Sequence, residues 1–241
     1  MATTMESLRI KQERLVSNQA PRLPVCLLAD SSSSMAGEKI DQLNRGIRAF
    51  INAVQEDATA CASVELSTIT IGGKKPEVLF EFTPVDELDM PVLEINGITP
   101  LAQAIKQGVE LLDERKNELK TFGVPQYKPW VIIISDGLST DDPEQDRESS
   151  QLLRQKIDNG DVLVVAVAVG ENEDQKTQAI EGLQCFAPKN TYLLDGVKFE
   201  EFFIFLSQST QSRTNLNPGD AFDIDFSQTD SVAKIEDPLN M

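Results

Sequence analysis

The chain has no histidine in its 241 residues. That removes the commonest general base, the Ser-His-Asp and Cys-His arrangements, and the imidazole ligand that zinc and redox metals favour. Its three cysteines, Cys26, Cys61 and Cys185, are far apart and form no CxxC spacing. An odd count with no secretion signal reads as reduced thiols, with Cys26 packing inside a strand. Basic residues are scarce, 22 Lys and Arg against 39 Asp and Glu, for a net charge of −17. Such a surface repels nucleic acid and anionic membranes and attracts cations. The longest apolar runs, such as 162–169, have strand length and cannot span a bilayer. Residues 1–20 lack the apolar core of a signal peptide. These absences predict a cytoplasmic protein that binds neither nucleic acid nor membrane.

What is present is ordinary globular composition, 40% hydrophobic and 25% charged, enough for one α/β domain with tails. Residues 1–21 read as a loosely held arm. Apolar runs at 23–29, 130–135 and 162–169 read as buried strands of a parallel sheet. The β-branched run 63–71, the turn Gly72-Gly73 and residues 77–82 predict a hairpin at a sheet edge. Ile40, Leu43, Ile47, Phe50, Ile51 and Val54 recur at helical spacing after Gly37, and Leu101, Ile105, Val109 and Leu112 do so after Thr99-Pro100. Thr99 reads as the N-cap of that second helix, with proline at its first position. Asp142-Pro143 with Gln145 predicts a capping box for a third. Further helices are expected at 175–183 and 199–207, with a short strand at 191–194. The alternation implies an α/β fold, a doubly wound, mostly parallel six-stranded sheet with one antiparallel edge strand and helices on both faces. The domain is expected over 22–210. Residues 211–241 read as an acidic, disordered tail, in which the alternating stretch 221–226 could offer a carboxylate to a neighbouring copy.

Ligands of a doubly wound sheet gather beyond the carboxyl ends of its strands, where strand order reverses. Asp30-Ser31-Ser32-Ser33-Ser34 follows the first strand, Asp136-Gly137 follows residues 130–135, and Thr99 opens a helix at the same end. Taken alone, the serine run is better explained as a helix-capping turn. Taken with Thr99 and Asp136, it supplies two carboxylates and three hydroxyls, hard oxygens that suit Mg²⁺, with Mn²⁺ or Ca²⁺ as alternatives.

Asp-x-Ser-x-Ser, then Gly-x-Thr-Pro-Leu, then Ser-Asp-Gly after a hydrophobic strand, resembles a von Willebrand factor A domain over residues 22–210. The resemblance implies a metal-ion-dependent adhesion site at Asp30, Ser32, Ser34, Thr99 and Asp136, with a partner protein's Asp or Glu completing the shell. The family often has glycine where Ser33 stands. Arg22-Leu23-Pro24-Val25, residues 135–142 and Glu201-Phe202-Phe203 resemble the bacterial TerY-like group of stand-alone A domains. That likeness implies a part in tellurite resistance, stress response or phosphorylation signalling, with a protein kinase or phosphatase as partner. The resulting expectation is a non-catalytic, metal-dependent protein-binding module. The alternative is a Mg²⁺-dependent phosphoryl-transfer enzyme using Asp30 or Asp136. Against it, the Asp-x-Asp pair and the glycine-rich phosphate loop are missing, and no lysine is placed beside the site by sequence.

Overall fold

A strand apolar on both faces needs a neighbour on each side and a layer above and below. β1 (Leu23–Asp30) is buried along its whole length. Its neighbour β2 (Val64–Ile71) runs parallel, with Leu23 opposite Val64, and carries β3 (Glu77–Pro84) antiparallel on its outer side. On the other side of β1 lies β4 (Trp130–Ser135), followed by β5 (Leu163–Ala168) and β6 (Thr191–Leu194), all parallel. Five parallel strands and one antiparallel edge thus stand in the order β3-β2-β1-β4-β5-β6. The chain leaves β1 toward one edge and returns to the other through β4, so strand order reverses between β1 and β4. The computed structural model describes residue 15, residues 18–224 except 195 and 197, and the backbone of 232–234. That last segment is a seventh strand, β7 (Val232–Lys234), antiparallel to β6. It adds a second antiparallel edge that three residues were too few to reveal as a period.

The helices are α1 (Glu38–Glu56), α2 (Ala58–Ser63), α3 (Leu101–Thr121), α4 (Pro143–Asp158), α5 (Glu173–Gln184) and α6 (Phe199–Thr214). Strand periodicity sorts the core into two layers. Leu23, Val25, Leu27 and Ala29 face α1 and α6, whereas Cys26 and Leu28 face α3. The predicted stripe of α1 is buried throughout. Its pairing with α6 is close enough that a Cβ on Gly46 would stand 3.1 Å from the Phe199 backbone. Among the described residues no helix is long and apolar enough to cross a membrane.

Three local readings shift. α2 was not expected, because Ala-Thr-Ala-Cys-Ala-Ser carries no apolar period; its start is held by Asp57, whose carboxylate accepts from Thr59 N and Ala60 N. α6 runs to Thr214, beyond the boundary expected at 210. The hydroxyls of Ser209, Thr210 and Thr214 donate to carbonyls three or four residues back, so these polar residues are buried without an apolar signature. Past α6, Phe222 stacks on Trp130 at 5.9 Å and Ile224 is buried. Part of the stretch expected to be a free tail is therefore docked on its own domain. Asp225 and Phe226, with the rest of 225–231 and 235–241, lie outside the described residues, as do 1–14, 16 and 17 of the expected arm. The end of that arm nearest β1 is tied down, Asn18 Nδ2 donating to Ala62 O.

The amino end of the sheet holds a buried ion cluster. Glu65 of β2 accepts from Arg115 Nε at 2.8 Å and Nη2 at 2.5 Å, and pairs with Arg22 Nε at 3.2 Å. Arg115 also pairs with Glu118.

Candidate functional site

The opposite end of the sheet gathers the predicted residues. Asp30, the last residue of β1, is fully buried. Its Oδ1 accepts from Ser32 N at 2.8 Å and its Oδ2 from Ser135 Oγ at 2.5 Å. Beyond it the chain makes a single 3₁₀ turn (Ser33–Met35), anchored by the buried Met35. The Ser32 and Ser34 hydroxyls lie 2.9 Å apart, and Ser34 Oγ donates to Asp136 Oδ1 at 2.6 Å. One hydrogen-bonded network therefore joins Asp30, Ser32, Ser34 and Asp136 across the switch point between β1 and β4.

Ser33, where the family often has glycine, makes its own contribution. Its N and its Oγ both donate to Gly97 O at 2.9 Å. Gly97 has φ 58° and lies against Gly73, whose Cα is 3.0 Å from where a Cβ would sit. Only glycine accommodates both that backbone and that approach. The serine loop is thereby fixed to the loop that carries Thr99.

Thr99 stands on that loop, 6% exposed, with its backbone bonded to the β4–α4 loop: Thr99 N donates to Thr140 Oγ1 at 3.1 Å and Thr140 N to Thr99 O at 2.9 Å. It does not cap α3 as expected. The helix begins at Leu101 with Pro100 in the cap position and no side-chain cap of its own. Asp141 serves instead, accepting from Gln103 N at 3.2 Å and from Gln103 Nε2 at 2.5 Å. A carboxylate at a helix start also suits the helix dipole. The capping box expected for α4 is present, Asp142 N donating to Gln145 Oε1 at 3.3 Å.

Two participants escaped the sequence reading. Ser135 supplies the shortest bond to Asp30. Lys39 donates through Nζ to Ser34 O at 3.1 Å and forms a buried ion pair with Asp136 Oδ2, so a lysine does stand beside the site. Its signal was present in the pattern: Lys39, Leu43 and Ile47 share the apolar stripe of α1 at helical spacing.

Burial pushes the Asp30 carboxyl from an ordinary 3.8 up to about 6; the bonds from Ser135 and Ser32 oppose the shift, and the nearby Asp136 adds to it. Asp30 thus ionises fully only near neutrality, or when a cation compensates it. The network offers two carboxylates and the hydroxyls of Ser32 and Ser34, hard oxygens with no soft ligand among them, a set that fits a hard divalent ion. One of these oxygens, Asp136 Oδ2, already pairs with a cation, the Lys39 ammonium. Among the described residues no cluster of three or more Cys, Asp or Glu side chains is placed for a metal, so a metal here depends on the hydroxyls.

The family model described as von Willebrand factor type A domain matches residues 25–211. Solved structures with a similar fold include the pilus adhesin SpaC from Lactobacillus rhamnosus GG, open conformation, with TM-score 0.64 and 12% identity over 81% of this chain and 30% of that one. The vWF domain of the type V pili tip protein Mfa5 from Porphyromonas gingivalis has TM-score 0.57 and 10% identity over 84% of this chain and 99% of that one. The N-terminal domain of TFIIH p34 has TM-score 0.52 and 12% identity over 79% and 98%. No curated protein matches the chain. At these identities the structural likeness establishes the fold.

Proposed function

The chain belongs to the von Willebrand factor type A domain family, and on that premise we propose that it is a metal-dependent protein-binding module whose ion is held by Asp30, Ser32, Ser34, Thr99 and Asp136. The observation that carries the reading is the network joining Asp30, Ser32, Ser34 and Asp136 at the switch point. Members of the family often take part in metal-dependent protein interactions. The bound ion, Mg²⁺ with Mn²⁺ or Ca²⁺ as alternatives, would supply an open coordination position for a partner's Asp or Glu. Ser33 and Gly97 hold the serine loop in place, and Asp141 and Thr140 hold the Thr99 loop. Ile98 and Leu138, next in sequence to Thr99 and Gly137, are each about half exposed. They favour a partner whose carboxylate is flanked by apolar residues, in a basic surround that offsets the net charge of −17. Following the TerY-like resemblance, such a partner would belong to stress response or tellurite resistance, with a kinase or phosphatase among the candidates. Two solved relatives are named as a pilus adhesin and a pili tip protein, names that concern attachment.

Lys39 beside Asp136 is the one observation that favours phosphoryl transfer. Against it, Asp30 is fully buried with both oxygens engaged, a poor position for in-line attack. We expect no turnover of p-nitrophenyl phosphate with Mg²⁺.

The test is capture from the native lysate with Mg²⁺ and with EDTA, read by mass spectrometry. A specific set of proteins is expected only with Mg²⁺, and the same set in both eluates would overturn the reading.

Asp30 also fixes the pH dependence. Its folded pKa of about 6 lies above the ordinary 3.8. The folded chain therefore holds more protons than the unfolded chain between these values, and this contribution to stability is present below the lower value and lost as pH rises through the upper. A metal needs the carboxylate, so Mn²⁺ affinity should climb about tenfold per pH unit up to roughly 6 and then level off. Titration calorimetry across that range checks this; a flat profile contradicts it.

A further inference from the structure

Lys39 sits where a lysine is least expected. It lies in the first turn of α1, at the positive end of the helix dipole, and its side chain is only 5% exposed. A buried ammonium persists where it is paired and hydrogen-bonded. The partners it finds are Asp136 Oδ2 and Ser34 O, both in residues assigned above to the ion.

We propose that Lys39 is a tethered cation that holds the site's affinity for metal ions down, so that a partner's carboxylate is needed to complete it. The proposal rests on the metal-binding reading. Ionised Asp30 and Asp136 carry two negative charges and Lys39 one positive. A divalent ion added to that set leaves one positive charge in excess, and a single carboxylate from a partner restores neutrality. Without Lys39, the ion alone would neutralise the two aspartates, and the partner's charge would add nothing. Lys39 therefore links ion and partner, each tightening the other. It also gives Asp136 a counter-ion without metal, so the fold does not depend on the ion.

The experiment compares the full chain with Lys39→Met and Lys39→Gln, measuring Mn²⁺ affinity by electron paramagnetic resonance at neutral pH. Acetate serves as the carboxylate probe, and melting is followed in EDTA and in Mn²⁺. Both variants should bind Mn²⁺ about tenfold tighter or more, as expected from removing a like charge a few ångströms away. Acetate should tighten Mn²⁺ binding to the wild type more than to either variant. In EDTA the variants should melt below the wild type and recover more on adding Mn²⁺. Unchanged or weaker Mn²⁺ affinity in folded variants overturns the role of Lys39 while leaving the metal site standing, and so does an equal acetate effect. If no protein binds Mn²⁺, both readings fall. Failure of both variants to fold even in saturating Mn²⁺ also overturns the proposal, because the ion would then not replace the ammonium.

Discussion

Asp30→Ala is expected to weaken Mn²⁺ binding by about 100-fold or more and to abolish Mg²⁺-dependent partner capture, while the domain still folds. Loss of an outer-sphere group alone typically costs about 10–100-fold in metal affinity, and Asp30 is proposed as part of the site itself. Stability should fall as well, though not far enough to unfold the domain. The substitution strips Ser32 N and Ser135 Oγ of their acceptor, at a cost of about 1–3 kcal/mol for each group left unsatisfied. It also removes a carboxyl whose ionisation burial already opposes, and the Ser135 hydroxyl can rotate to another acceptor. Asp141→Ala is the matching control. It removes the carboxylate that caps α3, should cost about 1 kcal/mol, and should retain the ion. Calorimetric titration with Mn²⁺ and urea denaturation separate the two. Wild-type Mn²⁺ affinity in Asp30→Ala would end the assignment of the site.

Glu65→Ala should be strongly destabilising, at about 3–5 kcal/mol, the usual cost of leaving a buried charge uncompensated. Glu65 is 1% exposed and stands between two arginines that are themselves nearly covered. Burial works against the charge on both. At Arg22 it prevails and lowers the pKa, whereas at Arg115 the bonds to Glu65 and Glu118 outweigh it and the pKa is raised. Without Glu65, Arg115 keeps Glu118, whereas among the described residues Arg22 keeps the carbonyl oxygens of Asn18, Ala20 and Ala62 and the more distant charge of Asp86. The cluster joins the amino end of the sheet to α3, far from the ion site, so Mn²⁺ affinity in the folded variant should not change. Urea denaturation gives the stability. A loss below about 1 kcal/mol would show that the arginines find water instead.

The alternation of apolar runs and helical stripes was enough to read the parallel sheet, the hairpin edge and the inward faces of α1 and α3, because each is a periodicity carried by neighbouring residues. The five positions proposed for the ion were read from loop spacing and from the resemblance to the von Willebrand factor A domain. Asp30, Ser32 and Ser34 are spaced along one loop, and Thr99 and Asp136 sit at strand or helix ends that a doubly wound sheet brings to one side. Other features depend on partners that no local pattern names. Lys39 meets Asp136 across 97 residues, Asp141 caps a helix that begins far earlier in the chain in place of Thr99, and Glu65 becomes an ion centre only when α3 and the start of β1 close over β2. The docking of Phe222 on Trp130 likewise belongs to residues separated by three strand–helix units.

The sequence alone therefore determined most of the elements, the class of fold and the set of oxygens proposed for an ion. Tertiary structure decided which charges those donors meet, because the pairing of buried charges depends on positions brought together by folding and leaves no period along the chain. The missing histidine made oxygen the available ligand chemistry. Folding set a lysine against one of those oxygens, Asp136 Oδ2.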